Sequence, residues 1–186
     1  MRLFLAINLP PEVRREIDAA TAALRDCAPD VAWITEARLH LTLKFLGEQP
    51  ESRVAEIQDA MAAVASRHGE LAMTLGGVGA FPNFRRARIV WLGVEQEPRL
   101  ELLHHDLEVA CDKLGFAVEG RVFRPHLTLA RLKHPLPEER LRALSRVAKQ
   151  TAYRTDFIVR SFDLMHSTLG PSGPTYSTVV SAVLRS

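Results

Sequence analysis

The segment His40-Leu41-Thr42-Leu43-Lys44-Phe45-Leu46 is echoed 86 positions later by His126-Leu127-Thr128-Leu129-Ala130-Arg131-Leu132. In an extended chain, successive side chains point to opposite faces. Each copy therefore sets a histidine and a threonine about 7 Å apart on one face. Leu41, Leu43 and Phe45 fall on the other face, as do Leu127 and Leu129, and Lys44 continues the polar one. Strict alternation also sends Arg131 to the apolar side, unless the strand ends or twists before it. A polar front on an apolar back describes a half-buried strand. Two such strands, each between amphipathic helices, point to two related halves of one fold.

The rest of the chain supplies strands and helices around them. Arg2–Leu9 is an apolar run that stops at Pro10-Pro11, and Val13, Ile17, Ala20 and Leu24 then recur at helical spacing through Asp26. Val31–Thr35 and Leu39–Leu46 read as strands. Glu51–Arg67 reads as a helix with Val54, Ile57, Met61 and Val64 inward. Leu71–Val78 and Arg88–Val94 read as a strand pair, and Pro98–Leu114 as a helix burying Leu102, Leu103, Leu107 and Cys111. Arg121–Arg131 reads as one interrupted strand or a pair, Pro137–Lys149 as a helix, and Phe157–His166 with Tyr176–Leu184 as a terminal hairpin. This order predicts an α+β fold with mainly antiparallel sheet.

The charge balance narrows the partners. Lys and Arg number 24 against 22 Asp and Glu, a net +2, so a general nucleic-acid coat is not expected. A local cationic cleft is compatible with that balance. Two cysteines, no signal-peptide core and no apolar run near the roughly 20 residues of a membrane span predict a cytoplasmic protein. His104 and His105 are neighbours on a helix and diverge by about 100°, so they do not share a metal, and no other His or Cys cluster has ligand spacing. Gly76-Gly77-Val78-Gly79 lacks the Lys-Ser/Thr ending of a phosphate loop and reads as a strand end.

Two imidazoles and two hydroxyls facing one pocket suit a phosphodiester. Displacement at phosphorus wants a base on the attacking oxygen and an acid on the leaving oxygen. Imidazoles titrate near neutrality and can hold opposite protonation states there. Threonine hydroxyls can donate to the non-bridging oxygens, and with the leaving oxygen protonated no metal is required. The near-symmetry of the two copies leaves open which histidine is acid and which is base.

The two motifs, His-Leu-Thr-Leu-Lys-Phe-Leu-Gly and Arg-Pro-His-Leu-Thr-Leu-Ala-Arg, resemble those of the 2H phosphoesterases, and most closely the RNA 2′,3′-cyclic phosphodiesterase or 2′-5′ RNA ligase branch. Arg2–Ile7, Arg88–Val94 and the Ser167-Thr168-Leu169-Gly170-Pro171 segment with Tyr176 extend the resemblance over nearly the whole chain. It implies a single bilobal domain over residues 1–186, with a pseudo-two-fold, two mainly antiparallel sheets flanked by helices, and an active-site cleft between lobes. It implies hydrolysis of a terminal RNA 2′,3′-cyclic phosphate to a 2′-phosphomonoester, with 2′-5′ ligation as the reverse. On the family pattern His40 is the proton donor, His126 the proton acceptor, and Thr42 and Thr128 grip phosphate. Spacing and resemblance together nominate Lys44, Phe45, Arg124, Arg131, His166, Ser167 and Tyr176 as substrate contacts. No cofactor or metal is expected; the partner is an RNA end bearing a 2′,3′-cyclic phosphate, and the protein is expected to be a monomer off the membrane. His166 stands where the family often has another basic residue.

Two other readings fit the same residues. One is a phosphodiesterase for a small cyclic nucleotide or ADP-ribose cyclic phosphate. The other is an RNA-end-binding module without turnover. Phe81, Phe84 and Tyr176 are candidates to stack a base or to fill core, and Arg85, Arg86 and Arg88 form a basic cluster open to RNA backbone or to solvent.

Overall fold

The computed structural model describes residues 1–171 and 173–186; Ser172, within the expected terminal turn, lies outside the described residues. The strands are β1 (Arg2–Asn8), β2 (Ala32–Trp33), β3 (His40–Glu48), β4 (Leu71–Phe81), β5 (Ile89–Val94), β6 (His126–Arg131), β7 (Arg154–Val159), β8 (Ser161–Gly170) and β9 (Gly173–Val183). The helices are α1 (Pro11–Ala20), α2 (Ala22–Cys27), α3 (Val54–Ala65), α4 (Pro98–Lys113) and α5 (Glu138–Gln150).

The strands run in the order β7-β4-β5-β6-β3-β1-β8-β9, with β2 beside β6, and every named pairing is antiparallel. The two expected sheets are the two halves of this order. They join at one residue pair, Leu41 opposite Leu127, between β3 and β6. These leucines hold the same place in the two motifs, so the local two-fold passes between them. It relates β3 to β6, β1 to β5 and β8 to β4. The sheet curls: Gly69 bridges Arg185, and the Leu184 amide donates to the Arg160 carbonyl at 2.9 Å.

One face of the sheet carries the helices. Val13 and Ile17 of α1, Ile57, Met61 and Val64 of α3, Leu100, Leu103 and Leu107 of α4, and Leu141 and Leu144 of α5 share one buried cluster with Leu3, Leu5, Leu41, Met73, Leu92 and Leu127. The helical spacing of these residues aims them at the sheet, and burial of each is worth roughly 1.5–3 kcal/mol. The opposite face carries a small buried apolar cluster, Phe4, Ala6 and Met165 with Tyr176 against it. That face is left to the motif histidines and threonines.

Four expectations change. The first helix breaks at Thr21, whose hydroxyl donates to the Ile17 carbonyl at 2.7 Å and competes with the helical ladder. Leu102 is exposed, and Leu100 takes its expected place in the core. The single strand expected over Phe157–His166 is two strands broken at Arg160, β7 on β4 and β8 on β1, at opposite ends of the order. Residues 121–125 form no strand, so the second motif strand begins at His126.

Candidate active site

Both motif strands contain the same irregularity. On β3, Ala6 of β1 pairs with Thr42 while Leu5 pairs with Lys44, so Leu43 is an extra residue. On β6, Trp91 of β5 pairs with Thr128 while Val90 pairs with Ala130, so Leu129 is the extra residue. An extra residue reverses the alternation beyond it. Lys44 and Ala130 therefore turn into the core, and Phe45 and Arg131 join the histidine–threonine face. Phe45 is 63% exposed, although its apolar character and strict alternation placed it with the leucines. Arg131 likewise lines the cleft, which resolves its expected ambiguity in favour of a bent strand.

Antiparallel pairing centred on Leu41–Leu127 places residues diagonally. Carried one residue either way, it sets Thr128 across from His40 and Thr42 across from His126, all on one face. His40, Thr42, Phe45, Thr128 and Arg131 line a cleft of about 540 Å³ with Arg2, Phe4, Arg38, Ser167 and Tyr176. Three arginines line it and no carboxylate does. A second recess of about 320 Å³ continues behind His40, between Arg14, Arg38 and Asp163.

The imidazoles are held alike. His40 Nδ1 lies 2.8 Å from the Arg38 carbonyl, and His126 Nδ1 lies 2.7 Å from the Arg124 carbonyl. A carbonyl only accepts, so Nδ1 carries the proton in each ring and donates it. That leaves Nε2 as the atom able to take or give a proton; His40 lines the cleft, while His126 lies outside its lining, beside Phe81 on the same sheet face. His40 Nε2 lies 3.1 Å from Thr42 Oγ1, within reach of its hydroxyl proton. The surroundings differ more. His40 sits against Phe4 and Tyr176, with ring centroids at 5.1 and 5.2 Å, whereas His126 meets the edge of Phe81 at 5.0 Å. Burial pushes the His40 pKa below 6.5; the Arg38 carbonyl opposes this, and the Arg131 and Arg14 charges add to it.

Not every nominated residue reaches the cleft. Lys44 is 6% exposed, and its ammonium lies 2.8 and 2.9 Å from the two Glu108 carboxylate oxygens of α4 and 2.9 Å from the Ala117 carbonyl. It braces the back of the strand instead of meeting substrate, because the Leu43 bulge turned it inward. His166 is opposite Leu3 on the helix-covered face, while its neighbour Ser167 is opposite Arg2 on the cleft face. The Arg124 side chain is exposed to solvent, and its part in the site is the carbonyl that holds His126. Ser167 and Tyr176 line the cleft on the His40 side, and the Phe81 ring packs against His126.

Arg38 was missed. Its guanidinium lines both the cleft and the recess, and its Nη1 donates to the Pro174 carbonyl at 3.3 Å. The sequence carried a signal: arginine stands two residues before each motif histidine, at 38 and at 124. Arg2 and Phe4 were missed because the first strand reads as uniformly buried, yet its pairing with β3 and β8 turns those two toward the cleft. Among the described residues, no three His, Cys, Asp or Glu side chains converge as a metal site would need.

The sequence profile of the 2′-5′ RNA ligase superfamily matches residues 9–171. The chain belongs to that superfamily. Among superfamily relatives, the RNA 2′,3′-cyclic phosphodiesterase of Geobacillus stearothermophilus is 34% identical over 95% of this chain. The match takes in 55% of that protein, so the chain spans about half of its length. The RNA 2′,3′-cyclic phosphodiesterase of Methanothermobacter thermautotrophicus is 30% identical, with 95% of each chain covered. The crystal structure of TT0787 of Thermus thermophilus superposes with a TM-score of 0.78 at 30% identity, over 100% of this chain and 98% of that one. The bilobal 2H fold with its curled antiparallel sheet is thus the fold of this superfamily member. None of its helices is long and apolar enough to cross a membrane, among the described residues.

Proposed function

We propose that this superfamily member hydrolyses a terminal RNA 2′,3′-cyclic phosphate to a 2′-phosphomonoester, without a metal, by paired histidine catalysis. The observation that carries the reading is the two motif imidazoles on one sheet face, each with Nδ1 held by a carbonyl two residues before it. Relatives of similar length carry the name RNA 2′,3′-cyclic phosphodiesterase, which supports the substrate class.

In this reading His126 Nε2 takes a proton from water as the water oxygen bonds to phosphorus. The bond from phosphorus to the 3′-oxygen breaks, and His40 Nε2 delivers the proton to that oxygen. The roles follow the family pattern. Thr42 and Thr128 donate to the non-bridging oxygens, where charge develops, and Arg2, Arg38 and Arg131 hold the anion in a cleft free of carboxylates. The substrate's negative charge opposes the lowering of the His40 pKa by the arginines, so binding favours the protonated acid. Microscopic reversibility makes 2′-5′ ligation available from the same groups. The protein acts as a cytoplasmic monomer; its half-buried Cys27 and buried Cys111 are free thiols, which fits a reducing compartment.

Product analysis tests this. An oligoribonucleotide ending in a 2′,3′-cyclic phosphate, incubated with the protein in chelator, is expected to yield the 2′-phosphate. An unchanged end, a 3′-phosphate, or turnover that needs an added divalent ion would overturn it.

A further inference from the structure

A second cationic surface lies outside the cleft. The turn Phe84–Arg86 packs beside α5, and between them is a groove of about 770 Å³. Arg85 lines one wall and Arg142, Arg146 and Lys149 the other. The three on α5 fall at i, i+4 and i+7, so they share one face and span about 10 Å along it. Glu138 is the one carboxylate in the lining, and Arg142 already holds it. Arg85, Arg146 and Lys149 pair with no carboxylate among the described residues. The half-buried Phe84 ring adds a flat surface of the kind on which bases stack.

A short stretch of chain links the groove to the ring that packs on His126. Phe81, whose ring meets His126, precedes Phe84 by three residues. The turn is fixed at both ends: the Arg88 amide donates to the Phe81 carbonyl at 2.8 Å, and the Arg86 amide to Asn83 Oδ1 at 3.2 Å. The chain as a whole carries only +2, so cations gathered in the cleft and again here make a local feature.

We propose that this groove binds the sugar-phosphate backbone of single-stranded RNA a few nucleotides upstream of the reacting end. The inference rests on the proposed activity for where the RNA end lies. Backbone contact at the groove adds affinity for long ends and leaves the chemistry of a short end untouched.

The test compares wild type with the triple variant Arg85→Gln, Arg146→Gln, Lys149→Gln, all at exposed positions. Fluorescence anisotropy is read with labelled 12-nucleotide and 3-nucleotide RNAs ending in a linear 2′-phosphate. Wild type is expected to bind the 12-mer more tightly than the 3-mer. The variant is expected to lose on the order of tenfold on the 12-mer alone, with its salt dependence shallower by about 2 in log–log slope. Equal affinity for both lengths in wild type, equal loss on both in the variant, or no loss at all overturns the groove. Displacement of the 12-mer by polyglutamate at equal charge concentration also overturns it, pointing to an acidic protein as occupant. Hydrolysis of a dinucleotide ending in a cyclic phosphate is measured in parallel. Failure of wild type there overturns the activity, while the linear-end binding still decides the groove.

Discussion

Leu41 lies opposite Leu127, and that pair joins β3 to β6 at the centre of the strand order. Because the two leucines occupy the same place in repeated motifs, their pairing sets each histidine across from the other motif's threonine. That contact brings the two copies of the duplicated sequence onto one face of the sheet.

Removing either imidazole should abolish turnover. His40→Ala and His126→Ala each delete a motif imidazole, and loss of one acid–base group costs typically 10²–10⁴-fold. Neither ring is part of the large core, so circular dichroism should show both variants folded. Residual activity above a hundredth of wild type in either variant, measured on a cyclic-phosphate dinucleotide, would remove that histidine from the chemistry.

The pH profile should report on His40. Its pKa in the free protein lies below 6.5, so as pH rises its protonated fraction is lost early. With His40 as acid, the alkaline limb of kcat/KM starts to fall below the ordinary imidazole range, and the limb of kcat lies higher because bound phosphate favours the proton. Arg131→Gln removes a nearby cation that lowers the pKa, so it should move the kcat/KM limb to higher pH while raising KM. A profile unchanged by Arg131→Gln would remove His40 from the titrating pair.

The Lys44–Glu108 pair should matter for stability. Both side chains are almost wholly buried, and Glu108 also accepts from the Glu119 amide at 3.0 Å. Lys44→Met leaves a buried carboxylate without its cation, which costs about 3–5 kcal/mol. Lys44→Met with Glu108→Leu should recover much of that loss in urea unfolding. Equal destabilisation by single and double variants would contradict the pairing.

Gly79 should tolerate no side chain. A Cβ there would lie 2.1 Å from the Trp91 ring, which crosses over the glycine from the neighbouring strand. Gly79→Ala must displace Trp91, and overpacking of this kind costs about 1–3 kcal/mol. Phe81 packs on Trp91 at 5.3 Å and on His126, so kcat should fall as well. A melting temperature and kcat matching wild type would refute this.

Much of the site was legible because alternation along a strand is local. The spacing of His40 from Thr42 and of His126 from Thr128 requires only that the chain be extended. The helices were legible for a similar reason, since the 3.6-residue repeat of Ile57, Met61 and Val64 records the face that meets the sheet. Lys44, Phe45 and Arg131 read differently in the fold because a bulge belongs to two strands at once. Whether Leu43 or Leu129 is the extra residue depends on how β1 and β5 lie alongside, and neither is near in sequence. His166 and Ser167 were indistinguishable as neighbours until pairing with Leu3 and Arg2 assigned them to opposite faces.

The chain's own pattern thus specified two polar-fronted strands, each with a histidine and a threonine, and an apolar back for helices to cover. Register supplied what remained: it placed the two fronts on one face, turned Lys44 inward and Arg131 outward, and added Arg2 to the cleft. The physical reason is range. Periodicity acts over two to four residues, while register is a choice among alignments of distant segments, made by whichever one buries most apolar surface and leaves fewest unpaired backbone groups.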